Sequence, residues 1–361
     1  MKISFPRMGN SYIGFKHLCE GLGFEVVVPP NPTQRTLTYG ARYSPEFACM
    51  PFKVLTGTYV EVLEKGADVI ISSGGIGPCR AGFYGVLHEK ILKDLGYDFK
   101  FIIVDPPMAN LKEFYNNVLF LKPRNLKWGS FLKKVRTAWK MLTALDGLDM
   151  LVAERRAYEL NKGDTQKAFE TAVSYIDSAE TYKEVVEAEA EGRKLIECVP
   201  VDETRIPLRV GIVGEIYVVI EPFMNMDLER RLGELGVITH RSIYVTTYVR
   251  HTIWDRKAED YIKDAARPYL KQMVGGHGIN SVGETVLYGK DNYDGVVQLA
   301  PFTCIPEIVA RSILPKVSKD YDIPVLTLHI DEQTGETGVQ TRLEAFLDLL
   351  REKQKVLGEC I

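Results

Sequence analysis

Three of the six cysteines in this chain share a setting that suits chemistry. Cys49, Cys79 and Cys304 each stand in or just before a loop entering a helical stretch, and each has a proline within two positions, at Pro51, Pro78 and Pro306. The unpaired N–H groups of a helix's first turn favour negative charge, so a thiol placed there is readily held as a thiolate. The Cys79 loop is also rich in glycine (Gly74, Gly75, Gly77, Gly82), which lets backbone come close to a bulky group. Three thiolates at three helix amino ends suit an object rich in cations but anionic overall, and an iron–sulfur cluster fits that description. Zinc is a second reading. The chain has no local C-x-x-C pair, so zinc would need a fourth ligand such as His329 or His277. The plain alternative is that all three are dispersed core cysteines.

The other candidates say less. Cys19, Cys198 and Cys360 lack the helix-entry setting and read as bystanders. No pair of the six histidines has H-x-x-x-H spacing. Arg80 and Lys53 either offset the charge of a bound anionic group or are ordinary charges in a first helical turn. The segment 275–284 resembles a nucleotide loop at a glance, yet it follows a helical stretch and lacks G-x-G-x-x-G spacing, so it reads as a helix-breaking loop. No P-loop motif is present.

The elements that must position the cysteines follow from periodicity. Residues 2–8 read as a strand, 10–22 as a helix and 24–28 as a second strand; a polar loop runs to Thr38. A helix covers 54–63, a strand begins at Ala67, and the Cys79 loop leads into a helix over 84–95. The strand 101–104 closes at Asp105-Pro106-Pro107. Alternation of this kind predicts an α/β fold with a mostly parallel sheet, whose ligands collect beyond the carboxyl ends of the strands. From Asn110 the strand signal vanishes and the composition turns helical, with charges that read as a solvated face. The α/β pattern restarts with a strand over 208–215, a helix over 227–235 closed by Gly236, and a further strand within 237–244. A helix over 258–273, a strand over 294–299 and a helix over 307–317 follow. The chain then reads as a strand over 324–330, a loop to Gln340 and a last helix over 342–355. The predicted organisation is an amino-terminal α/β domain (1–109), a helical domain or insertion (110–205) and a carboxyl-terminal α/β domain (206–361), with Cys79 and Cys304 on facing edges of a cleft.

Bulk properties exclude several functions. The chain has 361 residues, 45% hydrophobic and 26% charged, with a net charge of -3, which is ample for real cores. It has no basic block for nucleic acid or an anionic membrane. It also lacks an 18-residue uncharged run, and Lys2-Ile3-Ser4-Phe5 is too short an apolar stretch for a signal peptide. The expected location is the cytoplasm, where dispersed cysteines do not form a disulfide framework.

Several runs together are similar to a known family. Cys49-Met50-Pro51-Phe52-Lys53, Gly77-Pro78-Cys79-Arg80 with Gly82 and Tyr84, and Cys304-Ile305-Pro306-Glu307 are three of them. Ile330-Asp331-Glu332 with Gly335, then Thr341-Arg342-Leu343-Glu344-Ala345-Phe346, complete the pattern. They resemble the 2-hydroxyacyl-CoA dehydratase subunit (D-component) superfamily, nearest its activase-associated branch. The resemblance implies two Rossmann-like domains with a helical middle segment. It also implies a [4Fe–4S] cluster held by Cys49, Cys79 and Cys304, with one iron left open for a substrate or small ligand. Gly75 and Gly77 would act through their backbone and Arg80 through its charge. A low-potential electron would come from a separate ATP-dependent activator, for reductive chemistry on an acyl-CoA or another small molecule. The implied assembly is a homo- or hetero-dimer with a related subunit. Two alternatives accompany this reading: a non-catalytic electron carrier or cluster scaffold, and a reductase with a double-cubane [8Fe–9S] cluster. Cys19, Cys198 and Cys360 do not obviously supply the further ligands that a double-cubane needs.

Overall fold

A computed structural model describes residues 1–75, 77–105, 107, 110–253, 255 and 257–359. Ile76 of the glycine loop, Pro106 of the strand closure and Cys360 lie outside the described residues. Among these residues the strands form two four-stranded sheets, both parallel throughout, in an α/β fold. The chain divides into two compact units, Met1–Leu148 with Thr171–Gly192 and Val245–Lys257, and Asp149–Glu170 with Arg193–Tyr244 and Ala258–Ile361.

In the first unit β1 (Lys2–Ser4), α1 (Tyr12–Gly21) and β2 (Glu25–Val26) form the expected β-α-β opening. There follow α2 (Gln34–Tyr43), α3 (Met50–Glu64), β3 (Val69–Ser72), α4 (Tyr84–Asp94), β4 (Lys100–Ile103) and α5 (Leu111–Leu121). The sheet order is β2-β1-β3-β4. The chain steps to one side of β1 and then crosses to the other, so the topological switch point lies between β1 and β3. Ile3, Phe5, Cys19, Val69 and Ile102 form an apolar core against this sheet.

The helical stretch contains α6 (Trp128–Arg155), α7 (Asp164–Ser178) and α8 (Tyr182–Glu197). Each of these helices gives residues to both units. Lys16 and His17 of α1 pair with Asp177 of α7, and Lys140 of α6 pairs with Glu189 of α8.

The second unit contains β5 (Leu208–Gly214), α9 (Ile216–Ile220), α10 (Pro222–Asn225), α11 (Leu228–Glu234) and β6 (Val237–His240). The helix α12 (Val245–Ile253) belongs to the first unit. The second unit then adds α13 (Asp260–Ala266), α14 (Gly278–Lys290), β7 (Gly295–Pro301), α15 (Ile305–Tyr321), β8 (Val325–Ile330) and α16 (Glu336–Glu359). Its sheet order, β6-β5-β7-β8, repeats that of the first unit, with the switch point between β5 and β7.

Four local readings need correction. The supposed loop to Thr38 holds α2, opened by a reciprocal capping box between Thr33 and Thr36. This helix is polar because it buries little beyond Leu37 and Gly40; a Cβ on Gly40 would lie 1.9 Å from the Lys53 carbonyl oxygen of α3. The helix expected over 258–273 ends at Ala266, two residues before Pro268, which has no N–H to continue the helical hydrogen-bond ladder. The glycine-rich segment 275–284 opens α14 instead of breaking a helix. Its glycines allow close packing: a Cβ on Gly278 would lie 2.5 Å from the Pro306 oxygen, and one on Gly283 2.1 Å from the Ile262 oxygen. Finally, α16 begins at Glu336, inside the expected loop.

Candidate functional site

All three candidate cysteines are helix N-cap residues. Cys49 caps α3, Cys79 caps the 3-10 turn Arg80–Phe83 that runs into α4, and Cys304 caps α15. Each has extended backbone angles, and none of the three thiols makes a side-chain capping bond to its helix. Pro51 and Pro306 occupy the first turns of α3 and α15, where a missing N–H costs nothing. Cys49 and Cys304 are buried, and Cys79 is half-exposed.

The two units present their cysteines in matching places. Cys79 follows β3 and Cys304 follows β7, the strand beyond the switch point in each sheet. Local devices turn the chain differently at the two positions. Ahead of Cys79, Gly74 and Gly77 take φ values of 104° and 137°, in the range that favours glycine. Ahead of Cys304 a non-glycine residue does this work: Thr303 has a φ of 63°, a strained angle fixed by neighbouring bonds. Phe302 N–H donates to Ile330 O at 2.8 Å and Cys304 N–H to Pro301 O at 3.0 Å.

In the first unit the segments around Cys49 and Cys79 are brought together. Tyr84, the first residue of α4, places its hydroxyl on Cys49 Sγ. Arg80 donates to the Phe47 carbonyl, and the buried Lys53 donates to the Glu46 carbonyl at 2.9 Å. Both cations thus pin the chain just before Cys49. The N–H groups of Gly74 and Gly75 donate to Asp105 at the end of β4, with Gly75 reaching both carboxylate oxygens at 3.0 and 3.1 Å. A Cβ on Gly75 would stand 2.4 Å from Asp105 Oδ2, and Gly77 has open space where its Cβ would be.

Cys304 of the second unit lies at the head of a buried polar cluster. Glu307, one turn into α15, accepts from Ser281 of α14 at 3.0 and 3.1 Å and from Gln298 of β7 at 2.9 Å. Burial pushes its carboxyl up to about 7 against those stabilising bonds. Glu284, also buried and bonded by Ser242, is raised to about 8 by the same cause.

The remaining candidates sit elsewhere. Cys19 is packed in the core of the first unit, where burial pushes its thiol up to about 12, and Cys198 is exposed. Among the described residues no three His, Cys, Asp or Glu side chains stand arranged as a metal-binding group. Also among them, no helix is long and apolar enough to cross a membrane. In the sequence Asp105 reads only as part of a strand closure, although an acid ending a strand is a usable signal. Tyr84 reads there only as part of a motif.

Large apolar side chains are exposed beside each cysteine: Phe47 and Phe83 in the first unit, and Phe302, Ile305 and Ile308 in the second. No curated protein matches the sequence. Residues 3–72, from β1 through β3 and including Cys49, match the model of the CoA enzyme activase uncharacterised domain (DUF2229). The amino-terminal part of the first unit is therefore similar to a domain linked to CoA enzyme activase systems.

Proposed function

We propose that this protein is a dehydratase-like subunit of an activase system, carrying a [4Fe–4S] cluster on Cys49, Cys79 and Cys304. The observation behind this reading is the common placement of the three thiols, each at a helix N-cap and none spent on capping. The donor set fits the group: thiolates are its usual ligands, and helix amino ends favour its net negative charge. When bound, such a cluster supplies low-potential electrons to a substrate at the iron that lacks a protein thiolate.

The chain's own residues do the rest. Arg80 and Lys53 hold the strand of chain that delivers Cys49, and Asp105 holds the loop that delivers Cys79. ATP hydrolysis is assigned to a partner, a reading that the activase-associated match to residues 3–72 supports. The exposed phenylalanines and isoleucines beside the cysteines are candidate contacts for that activator or for a sister subunit. The substrate class is an acyl-CoA or another small reducible molecule.

Anaerobic purification with iron and acid-labile sulfide analysis tests this. The expected product is coloured and contains both. Cys304→Ala should lose colour, iron and sulfide, whereas Cys19→Ala should keep them because Cys19 lies in an apolar core. A colourless wild-type protein without iron or sulfide removes the reading; a Cys304→Ala protein that keeps its cluster removes the ligand assignment.

A further inference from the structure

Tyr84 closes a ring of contacts around Cys49. Phe52 N–H donates to Cys49 O at 3.0 Å in the first turn of α3. Phe52 O in turn accepts from His88 Nε2 of α4 at 3.1 Å. The Phe52 and His88 rings stack at 4.0 Å with 9° between their planes, and both meet the Tyr84 ring edge-on, at 5.1 and 5.6 Å. His88 is fully buried, which holds its imidazole neutral, and with Nε2 donating the proton resides on that nitrogen. The stack fixes the Tyr84 ring, and its hydroxyl ends on Cys49 Sγ.

The start of α4 is fixed as well. Gly85 N–H donates to Gly74 O at 3.0 Å, and a Cβ on Gly85 would meet Ile103 of β4 at 2.6 Å. Tyr84 therefore stands at the junction of the loop carrying Cys79 and the helix capped by Cys49. A phenol beside a sulfur lowers the cost of negative charge on that sulfur, because its O–H can donate there.

We propose that Tyr84 is a positioning residue for Cys49, donating a hydrogen bond that holds its sulfur in place. This inference rests on the cluster reading in assigning that sulfur as a ligand, but the hydrogen bond itself belongs to the chain and can be tested without metal. On a cluster ligand such a bond favours the more negative, reduced state, and its loss makes reduction harder.

The test compares wild type with Tyr84→Phe, which keeps the ring contacts to Phe52 and His88. Circular dichroism should show the same fold for both. In metal-free protein at one fixed pH, iodoacetamide labelling of Cys49, read by peptide mass spectrometry, should slow about tenfold with loss of one hydrogen bond to a charged acceptor. Labelling of Cys79 should be unchanged. In cluster-loaded protein, a redox titration followed by electron paramagnetic resonance should give a more negative midpoint at equal iron content. If the wild type loads no cluster, the functional reading fails and the labelling alone decides the role of Tyr84. Equal Cys49 labelling in the two proteins, or an unmoved midpoint in loaded protein, overturns the inference.

Discussion

At the residue scale, the Cys79 loop depends on a carboxylate 31 residues from its first glycine. Asp105 accepts from Gly74 and Gly75, so Asp105→Ala leaves two half-buried N–H groups without their acceptor. The expected cost is about 1–3 kcal/mol, with amide exchange across 74–85 accelerated and the rest of the first unit unchanged. Hydrogen exchange with mass spectrometry reads this directly; unaltered exchange in the loop would show that glycine geometry alone holds it. The three cysteines were legible as helix-entry residues because a proline after a cap and a glycine-rich turn are local signals. The partners of those cysteines were not legible. Tyr84 reaches Cys49 across 35 residues, and nothing in the pattern of either segment states that pairing.

At the element scale, α2 and α3 approach through reciprocal glycines. A Cβ on Gly57 would stand 1.9 Å from Thr36 O, and one on Gly40 would stand 1.9 Å from Lys53 O. Both obstacles are backbone, so Gly57→Ala must push the helices apart, and α3 carries Cys49 at its head. Urea unfolding should show a loss of about 2–4 kcal/mol. Gly129→Ala in α6, where a Cβ would meet nothing, should be neutral or slightly stabilising and serves as the control. The strands, α1, α4, α11 and α15 were legible in kind because their apolar residues repeat at the period of the element. The helix α2 was not, since it packs by the absence of side chains. The same physics hid α14, whose glycines look like a break and act as contact points against Pro306 and Ile262.

At the scale of the whole molecule, buried histidines and buried glutamates respond to pH in opposite senses. His88 of the first unit is lowered from 6.5 to about 3 by burial. Between those values the unfolded chain binds a proton that the folded chain does not, so stability falls as pH drops from 6.5 towards 3. In the second unit Glu284 and Glu307 are raised from 4.5 to about 8 and about 7. Here the folded chain binds the extra protons, so the contribution is complete below 4.5 and is lost as pH rises through 7 and 8. Urea midpoints measured at about pH 5 and about pH 9 should therefore differ more for wild type than for Glu284→Gln, which keeps an acceptor for Ser242 and has no charge to bury. A Gln variant less stable than wild type at the higher pH would contradict the assigned burial cost.

What the sequence determined by itself was the alternation of strands and helices, the repetition of the α/β plan in two halves, and the delivery of three thiols to helix amino ends. Each of these is written in periods of two or 3.6 residues, or in the few residues around a cap. Only the tertiary structure decided that Gly74 and Gly75 bond to Asp105, that the glycines of α2, α3 and α14 serve helix contacts, and that Tyr84 meets Cys49. Only the tertiary structure, too, buried Glu284 and Glu307. Contacts, burial and the acidity of buried groups depend on which surfaces meet across tens of residues, and no local pattern carries that information.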